Sequence, residues 1–355
     1  MVMGPTCGMI LADLGAEVIK VEPPGGDKTR KLPGLGIGFF RAFNRNKKSV
    51  VIDIHSERGK EKALALISTC DVLVENFRPG LMATAGLDYA ALAKRFPRLV
   101  YASHKGFLPG PYEHRVALDE VVQMMGGLAY ATGPSGRPLR AGASVNDIMG
   151  GMFGAIGILA ALREREHTGR GQEVQSALFE NCAFLVAQHM QQYLMTGEVP
   201  PPMPERVSAW SVYDVFTLAE GRQLFIGAVS DRQFTILCDV LGRPDLLQIP
   251  EFASNSSRVA ARGKLLPLLG DILRVHRVEE LAPKLEAAGL PYAPIKRPDE
   301  LIDDPHLAQS GGLATMTAED GTKSPTVLLP LSMDGRRFVP RRPLPKAGEH
   351  NEEIP

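Results

Sequence analysis

The first half of the chain alternates short β-branched runs with segments of helical periodicity, and this alternation restricts the fold more than any other feature. The predicted elements are, in order, a helix beginning at Thr6, a strand at 16–22, a strand at 48–54, a helix at 56–70 capped by Ser56, a strand at 71–77, a helix at 87–96, a strand at 98–107, and helices at 118–133 and near 177–196. Strands that alternate with helices predict a parallel sheet with helices on both faces, and therefore an α/β fold.

The start of the chain departs from this pattern. It opens inside a turn, Met3–Pro5, that leads directly into the first helix. A strand should precede that turn in a βα unit, and three residues are too few to form one. Two expectations stay open: an upstream strand is missing from this version of the sequence, or the sheet begins one strand later.

A change of composition divides the chain. Prolines cluster at 197–204, which is typical of a linker. Beyond it, 212–229 is predicted to form a hairpin with Gly221 in the turn, followed by helices. We expect a large domain at 1–196, completed by a return linker and tail at 311–355, and a small α+β domain at 205–310.

Composition narrows the function classes. Among 355 residues, Lys plus Arg and Asp plus Glu are both 40, so the basic surface of a nucleic-acid-binding protein is not expected. The apolar stretch 141–162 contains Asp147 and several glycines, so we expect a buried helix and no membrane span. Four scattered cysteines match no zinc or disulfide pattern, and no signal peptide is evident; we expect reduced thiols and a cytoplasmic protein.

Asp147 is the one charged residue between Arg140 and Arg163. With Asn146 or Ser144 as N-cap, it falls in the first turn of a helix, where free backbone N–H groups and the helix dipole favour an ionised carboxylate. Glycines recur behind it, at positions 150, 151, 154 and 157. They serve either close packing or space for a ligand, and a purely structural helix-cap acid remains an alternative.

Other motifs are less specific. The Gly-rich loop 22–31 carries Lys28 and Arg30, and is interpreted as a phosphate site or as an exposed basic loop. The run 45–48, Arg-Asn-Lys-Lys, is expected to be a solvated turn. His104 and His114 lie near a strand end, where parallel-sheet proteins bind ligands, although a structural role is the simpler interpretation. No catalytic triad or metal-binding cluster is recognisable, so no metal is expected.

Several motifs together resemble the class III CoA-transferases, which include formyl-CoA transferase and carnitine CoA-transferase and are related to the alpha-methylacyl-CoA racemases. They are GPTCGMILADLGAEVIKVEPPGGDKTR, NRNKKSVVIDI, DVLVENFRPG, ALDEVVQMMGGL, VNDIMGGMFGAIGILAALREREHTGRGQEV and KAGEH, in the family's order from Gly4 to His350. The resemblance implies a Rossmann-like CoA-binding large domain, a smaller domain, and a homodimer of two interlocked rings.

The resemblance also implies roles for residues. Asp147 matches the nucleophile that forms an aspartyl-CoA thioester during transfer of CoA between carboxylic acids. Positions that match CoA contacts are Val2, Met3, Ile52, Asp53, Ile54, His55, Asn76, Phe77, Arg78, Ala117, Leu118 and Asp119. Lys28, Arg30 and Arg78 are candidates for the CoA phosphates. The CoA thioester is a substrate, and no permanently bound cofactor is expected.

Some positions differ from the family. Pro23 stands where members frequently carry an arginine, and a second arginine that some members use falls near Thr84. Leu118 stands where racemases carry the histidine that moves a proton. A transferase is therefore favoured over its alternatives, a racemase or epimerase and a CoA-binding protein without turnover. The acceptor is predicted to be a dicarboxylate such as succinate or a C4–C5 relative. The candidate ligands for its free carboxylate are Arg115, Arg206 and Arg232.

Overall fold

The computed structural model describes residues 1–206 and 208–354. They form two compact units, one from Met1–Glu205 and Pro305–Pro355 and the other from Arg206–Asp304. The second unit begins one residue after the predicted small domain and ends six residues before its predicted end at 310.

The first unit contains the parallel strands. Its elements up to residue 205 are α1 (Met3–Asp13), β1 (Val18–Glu22), α2 (Phe39–Phe43), β2 (Lys47–Val51), α3 (Glu57–Ile67), β3 (Val72–Glu75), α4 (Leu81–Thr84), α5 (Tyr89–Arg95), β4 (Val100–Lys105), α6 (Asp119–Met125), α7 (Leu128–Thr132), α8 (Val145–Thr168), β5 (Glu173–Ala177), α9 (Leu178–Leu185) and α10 (Ala187–Thr196). Strand β1 pairs in parallel with β2, and β3, β4 and β5 form a second parallel sheet in that order. The predicted mixed α/β fold with parallel strands is confirmed.

The second unit is built on an antiparallel sheet. It contains β6 (Val212–Thr217), β7 (Gln223–Ala228), α11 (Asp231–Val240), α12 (Asn255–Ala260), α13 (Arg262–Leu273), α14 (Val278–Ala287) and β8 (Tyr292–Pro294). The predicted hairpin is β6–β7, and Gly221 takes a positive φ of 71° in its turn. Leucines of α13 and α14 cover the sheet in one apolar core.

The C-terminal segment belongs to the first unit and has its own structure, namely α15 (Pro305–Gln309), β9 (Leu313–Thr317) and β10 (Lys323–Val327). Strands β9 and β10 pair antiparallel. Farther on, the His350 N–H donates to the Ser49 carbonyl at 2.9 Å, and the Asn351 side chain accepts from the Val51 N–H at 2.8 Å. The tail therefore hydrogen-bonds to β2.

Two predicted helices are each divided. The helix expected at 118–133 is α6 and α7, because Gly127 has a left-handed φ of 84° and ends the helical run. The helix expected near 177–196 is α9 and α10, and it follows β5, a strand that the sequence reasoning missed. Strand β5 is only five residues long and α9 begins at the next residue, so no turn signal separates them.

The expectation of a solvated turn at 45–48 is wrong, because Arg45, Asn46 and Lys47 are buried. The Arg45 guanidinium forms an ion pair with Asp13 at 2.7 Å, and Asn46 donates to the same carboxylate at 2.8 Å. Lys47 Nζ donates to the Pro5 carbonyl at 2.8 Å, and burial lowers the pKa of Lys47 well below its usual value. This polar network joins α1 to β2.

Candidate active site

The first turn of α8 is capped by a residue from another helix. Ser144 occupies the N-cap position, but its side chain forms no capping hydrogen bond. Instead, Asp119 Oδ2, at the start of α6, accepts from the backbone N–H groups of Asn146 at 2.8 Å and Asp147 at 3.1 Å. Ser144 is therefore the N-cap residue, as one of the two expectations had it, but the side chain that accepts from the first turn of α8 is that of Asp119.

Neighbouring polar groups hold the Asp119 carboxylate in place. Gln123 Nε2, one turn further along α6, donates to Asp119 Oδ1, and Gln123 Oε1 accepts from the Ala141 N–H at 2.8 Å. The Arg140 guanidinium lies 3.8 Å from Asp119 Oδ1. The loop that leads into α8 is thereby attached to α6, and Asp147 has a defined backbone position.

Burial raises the pKa of the half-buried Asp147 carboxyl to about 6. The negative charge of Asp119 adds to the rise, while the positive charges of the Met1 α-ammonium group and Arg140 oppose it. Burial thus outweighs the influence of the helix start, which favours the ionised carboxylate. At pH 7 a carboxyl with a pKa of about 6 is still about nine-tenths ionised, as a nucleophile requires.

The glycines behind Asp147 serve close packing. A Cβ atom on Gly150 would lie 2.3 Å from Met3 Cε, and one on Gly151 would lie 2.7 Å from both the Met3 carbonyl oxygen and Thr6 Cβ. Both contacts are with α1. Of the two interpretations left open by the sequence, close helix packing holds for these positions, and no ligand space remains at them.

The next two glycines face the parallel sheet. A Cβ on Gly154 would lie 2.1 Å from His104 Cε1, and one on Gly157 would lie 2.6 Å from Val174 Cγ1. Helix α8 is long and apolar enough to cross a membrane by composition. Its glycine face packs on β4 and β5, whereas Met152, Ile156 and Leu159 on it are exposed, so the expectation of a buried helix holds for one face only. His104 is buried, its pKa is lowered to about 4 by burial, and neither ring nitrogen has a partner among the described residues. His104 is therefore a neutral packing residue.

A cleft of about 550 Å³ lies beyond the carboxyl ends of β2 and β3. Its lining includes Ile54, His55 and Arg78, three of the predicted CoA contacts, together with Lys60 and Thr84. Lys60 was missed by the sequence reasoning; it lies one helical turn after Ser56, the N-cap of α3, and its ammonium group also forms an ion pair with the exposed Glu57 at 3.1 Å. Three cationic or titratable basic side chains thus face one cavity.

The other residues near β2 and β3 that were predicted to contact CoA do not line the cleft. Ile52 is buried in the core, while Asp53 is exposed and accepts from the His55 N–H at 3.1 Å. Asn76 lies 3.0 Å from the position of a Cβ on Gly4, so it packs on α1, and Phe77 is exposed. These residues are close in the chain to the cleft, but only His55, Ile54 and Arg78 line it.

Arg30 does not have a free guanidinium. Its donors bind Glu22 at 2.7 and 2.8 Å, the Pro345 carbonyl at 2.9 Å, and Glu319, and its plane stacks on Phe40 at 3.7 Å from the ring centroid. The structure therefore gives no support to Arg30 as a phosphate ligand. Lys28, in the same loop, is exposed.

The other predicted contacts lie near α8. Val2 and Met3 are buried at the start of α1, Ala117 packs against Gly106, and Leu118 is exposed. Asp119 was predicted from the resemblance as a CoA contact; the structure uses its carboxylate as the cap of α8. No sequence signal indicated this cap, because the two positions are 28 residues apart.

Comparison with known proteins identifies the family. The model of CoA-transferase family III matches residues 1–351. A succinate–glutarate CoA-transferase of Agrobacterium fabrum is 34% identical over 99% of this chain and 91% of its own, and a succinyl-CoA:mesaconate CoA-transferase of Haloarcula hispanica is 33% identical with the same coverage. The crystal structure of a CAIB/BAIF family protein from Brucella suis aligns with a TM-score of 0.89 at 33% identity, over 99% of this chain and 94% of that one. The chain is a member of CoA-transferase family III.

Proposed function

We propose that this enzyme transfers CoA from an acyl-CoA to a dicarboxylic acid through a covalent intermediate on Asp147. The observation that carries the proposal is a lone carboxylate in the first turn of an apolar helix, held by the Asp119 cap and largely ionised at neutral pH. A carboxylate with these properties is a competent nucleophile toward a thioester carbonyl.

In the first half-reaction, an Asp147 carboxylate oxygen attacks the thioester carbonyl of the donor. The carbon–sulfur bond breaks, leaving a mixed anhydride on Asp147 and the CoA thiolate. The thiolate then attacks the Asp147 carbonyl carbon, releases the donor acid as a carboxylate, and leaves an aspartyl-CoA thioester. No proton or electron is gained or lost in these two steps.

The second half-reaction repeats these steps with the acceptor. Its carboxylate attacks the aspartyl thioester, the thiolate leaves, and the thiolate then attacks the acceptor's carbonyl in the new anhydride. The products are a new acyl-CoA and the free Asp147 carboxylate. An anhydride is easily hydrolysed, so the apolar residues packed around α8, such as Met3, favour transfer by limiting the access of water.

We propose that the cleft beyond β2 and β3 binds the nucleotide end of CoA, as a Rossmann-like domain would. Ligands of parallel sheets bind outside the carboxyl ends of the strands. His55 follows β2 and Arg78 follows β3, and Lys60 adds a further positive charge, which suits the phosphates of 3′-phosphoadenosine diphosphate. Lys60 then supplies a positive charge in a sequence that has Pro23 at one family arginine position and lacks the arginine that some members carry near Thr84.

We also propose a homodimer formed through α8, α9 and α10. These helices expose a row of large apolar side chains: Met152, Phe153, Ile156, Leu159, Phe184, Met190, Leu194 and Met195. Phe153 and Phe184 stack edge to face at 5.7 Å, so the apolar surfaces of α8 and α9 are continuous. Apolar surface of this extent is uncommon on monomers, and a second copy would bury it. Light scattering tests this: a homodimer supports the proposal, and a monomer at micromolar concentration contradicts it.

The test of the chemistry is a single-turnover experiment. The enzyme is mixed with succinyl-CoA, quenched with acid, digested and analysed by mass spectrometry. The proposal predicts that the peptide containing Asp147 carries CoA less one water. The Asp147→Asn variant should lose the adduct and at least about 10³-fold of the exchange rate, while it still binds CoA. An adduct on another residue, or an Asp147→Asn variant with more than a tenth of the wild-type rate, contradicts the mechanism.

A further inference from the structure

We propose that Arg115 binds the distal carboxylate of the dicarboxylic acceptor and so sets the preference of the enzyme for diacids. The inference rests on the proposed function, in which the proximal carboxylate of the acceptor attacks the aspartyl thioester on Asp147. Of the three arginines that the sequence singles out for this role, Arg115 is the one in the unit that carries Asp147.

The chain places Arg115 near Asp147. Arg115 precedes Asp119 by four residues, so their Cα atoms are at most about 14 Å apart. Asp119 Oδ2 lies 3.1 Å from the Asp147 backbone nitrogen. An arginine side chain spans much of the remaining distance, and a C4–C5 diacid spans the rest.

The guanidinium of Arg115 is held by aromatic rings. Its Cζ atom lies 5.0 Å from the ring centroid of Tyr112 and 5.9 Å from that of Phe107. Phe107 is buried in one apolar cluster with Met3, and Met3 Cε lies against Gly150 in α8. The platform that orients Arg115 is therefore packed onto the same part of α8 that presents Asp147.

The contacts of Arg115 leave its donors available. Within residues 1–206 and 208–354, no carboxylate lies within ion-pair distance of its guanidinium, and the adjacent Glu113 lies 3.0 Å from His114 instead. Stacking occupies the face of a guanidinium and leaves the N–H groups at its edge free for bidentate binding of a carboxylate. Arg115 is exposed, so a substrate can reach it.

The proposed role of Arg115 is to bind the carboxylate of the acceptor that does not react. The distal carboxylate of the acceptor undergoes no bond change; its only requirement is a positively charged partner with two parallel donors. A site built to bind a charged group rejects an analogue that lacks it, because the arginine then has no partner in the complex. Arg115 is thus expected to affect the KM for diacids more than kcat.

The test compares glutarate with monomethyl glutarate, which has one carboxylate, as acceptors for succinyl-CoA. Wild-type enzyme should favour glutarate in kcat/KM by at least about 10-fold, and Arg115→Gln should bring that ratio close to one, mainly through KM. Arg115→Lys should restore part of the ratio. The control is Arg95→Gln, since Arg95 is also exposed and stacks on an aromatic ring, Phe96, at 5.4 Å.

Equal use of both acceptors by the wild type, or an unchanged ratio in Arg115→Gln, would overturn the inference while leaving CoA transfer intact. Calorimetric binding of the two acids to the Asp147→Asn enzyme separates the two proposals. If Asp147→Asn prefers glutarate and the Asp147→Asn/Arg115→Gln double variant does not, Arg115 binds the diacid even where the covalent mechanism fails. If neither variant prefers glutarate, the inference is wrong.

Discussion

Asp119 and Asp147 are two carboxylates of one cluster, and the first holds the second through its backbone, with Asp119 Oδ2 3.1 Å from the Asp147 nitrogen. The cap fixes where α8 begins. Because Asp119 binds the backbone of Asp147, it does not engage the Asp147 carboxylate itself. The same negative charge contributes to the raised pKa of Asp147, after burial. One residue thereby affects both the position and the protonation of the proposed nucleophile.

Replacement of Asp119 separates these two effects. Asp119→Ala leaves the N–H groups of Asn146 and Asp147 without their acceptor, at a cost of about 1–3 kcal/mol in the free energy of unfolding. Asp119→Asn keeps an acceptor and should lose less. Both variants remove a negative charge, so the acid limb of the exchange rate, measured against pH, should move to lower pH. An acid limb that stays in place in both variants, as it should in the exposed control Glu61→Gln on α3, would contradict this electrostatic role.

Asp147 should make the protein less stable as the pH rises. Its pKa is about 6 in the folded protein, above the ordinary value of 3.8. The folded state therefore binds more protons than the unfolded state between about pH 4 and 6, and stability falls as pH increases through that window. Relative to wild type, Asp147→Asn should gain up to about 3 kcal/mol between pH 4 and pH 7, measured by urea unfolding. Glu61→Gln, on the exposed face of α3, should follow wild type, and an Asp147→Asn protein less stable than wild type at pH 7 would refute the prediction.

Local signals in the sequence were sufficient for much of the fold. Alternating β-branched runs and helical periods predicted β1 to β4, and a Ser56 side chain that accepts from the Gly59 N–H at 3.0 Å confirms the predicted start of α3. The position of Asp147 in the first turn of α8 was also predicted from the sequence. These features depend on residues within a few positions of each other, so a single sequence contains them.

Long-range contacts were beyond that reasoning. The basic run 45–48 resembles a surface turn until Asp13 and the carbonyl of Val327 are brought to Arg45. Arg30 resembles a free cation until Glu319 and Pro345 reach it from the C-terminal segment. In both cases the partner lies far away in the sequence, and charge alone does not tell an exposed arginine from a buried ion pair.

The close contact between α8 and β4 gives a sharp test of packing. Gly154→Ala places a Cβ atom 2.1 Å from His104 Cε1, which forces the helix or the strand to move. We expect a loss of at least about 2 kcal/mol in the free energy of unfolding. A Cβ atom on Gly270, in α13, would have no neighbour within 4 Å among the described residues, so Gly270→Ala should stabilise its own unit by about 0.5–1 kcal/mol. A neutral Gly154→Ala in thermal or urea unfolding would show that α8 has room at this position.

The buried ion pair between Arg45 and Asp13 should be necessary for folding. Arg45→Met leaves a carboxylate with no exposed side-chain surface without its main partner, at a cost of about 3–5 kcal/mol. Arg41 and Asp320 form an ion pair at 3.1 Å in which both side chains are about half exposed, and Arg41→Met should cost less than about 1 kcal/mol. Urea unfolding of the two variants gives the comparison, and similar losses in both would mean that the burial of Arg45 has no energetic consequence.

Lys60, which the sequence alone did not suggest as a ligand, provides a test of the proposed CoA cleft. If its ammonium group binds a phosphate of CoA, Lys60→Gln should weaken CoA binding by about 3- to 10-fold and reduce the dependence of binding on salt, since one ion contact is lost. Lys62→Gln is the matched control, because Lys62 is exposed on the same helix and does not line the cleft. Arg78 faces the cleft from the end of β3, so Arg78→Gln should also weaken CoA binding.

Calorimetric titration of CoA at low salt and at several-fold higher salt measures both the affinity and its dependence on salt. Equal affinities for the Lys60→Gln and Lys62→Gln enzymes would place the nucleotide outside this cleft, because a phosphate bound there could not lose a facing cation without a change in affinity.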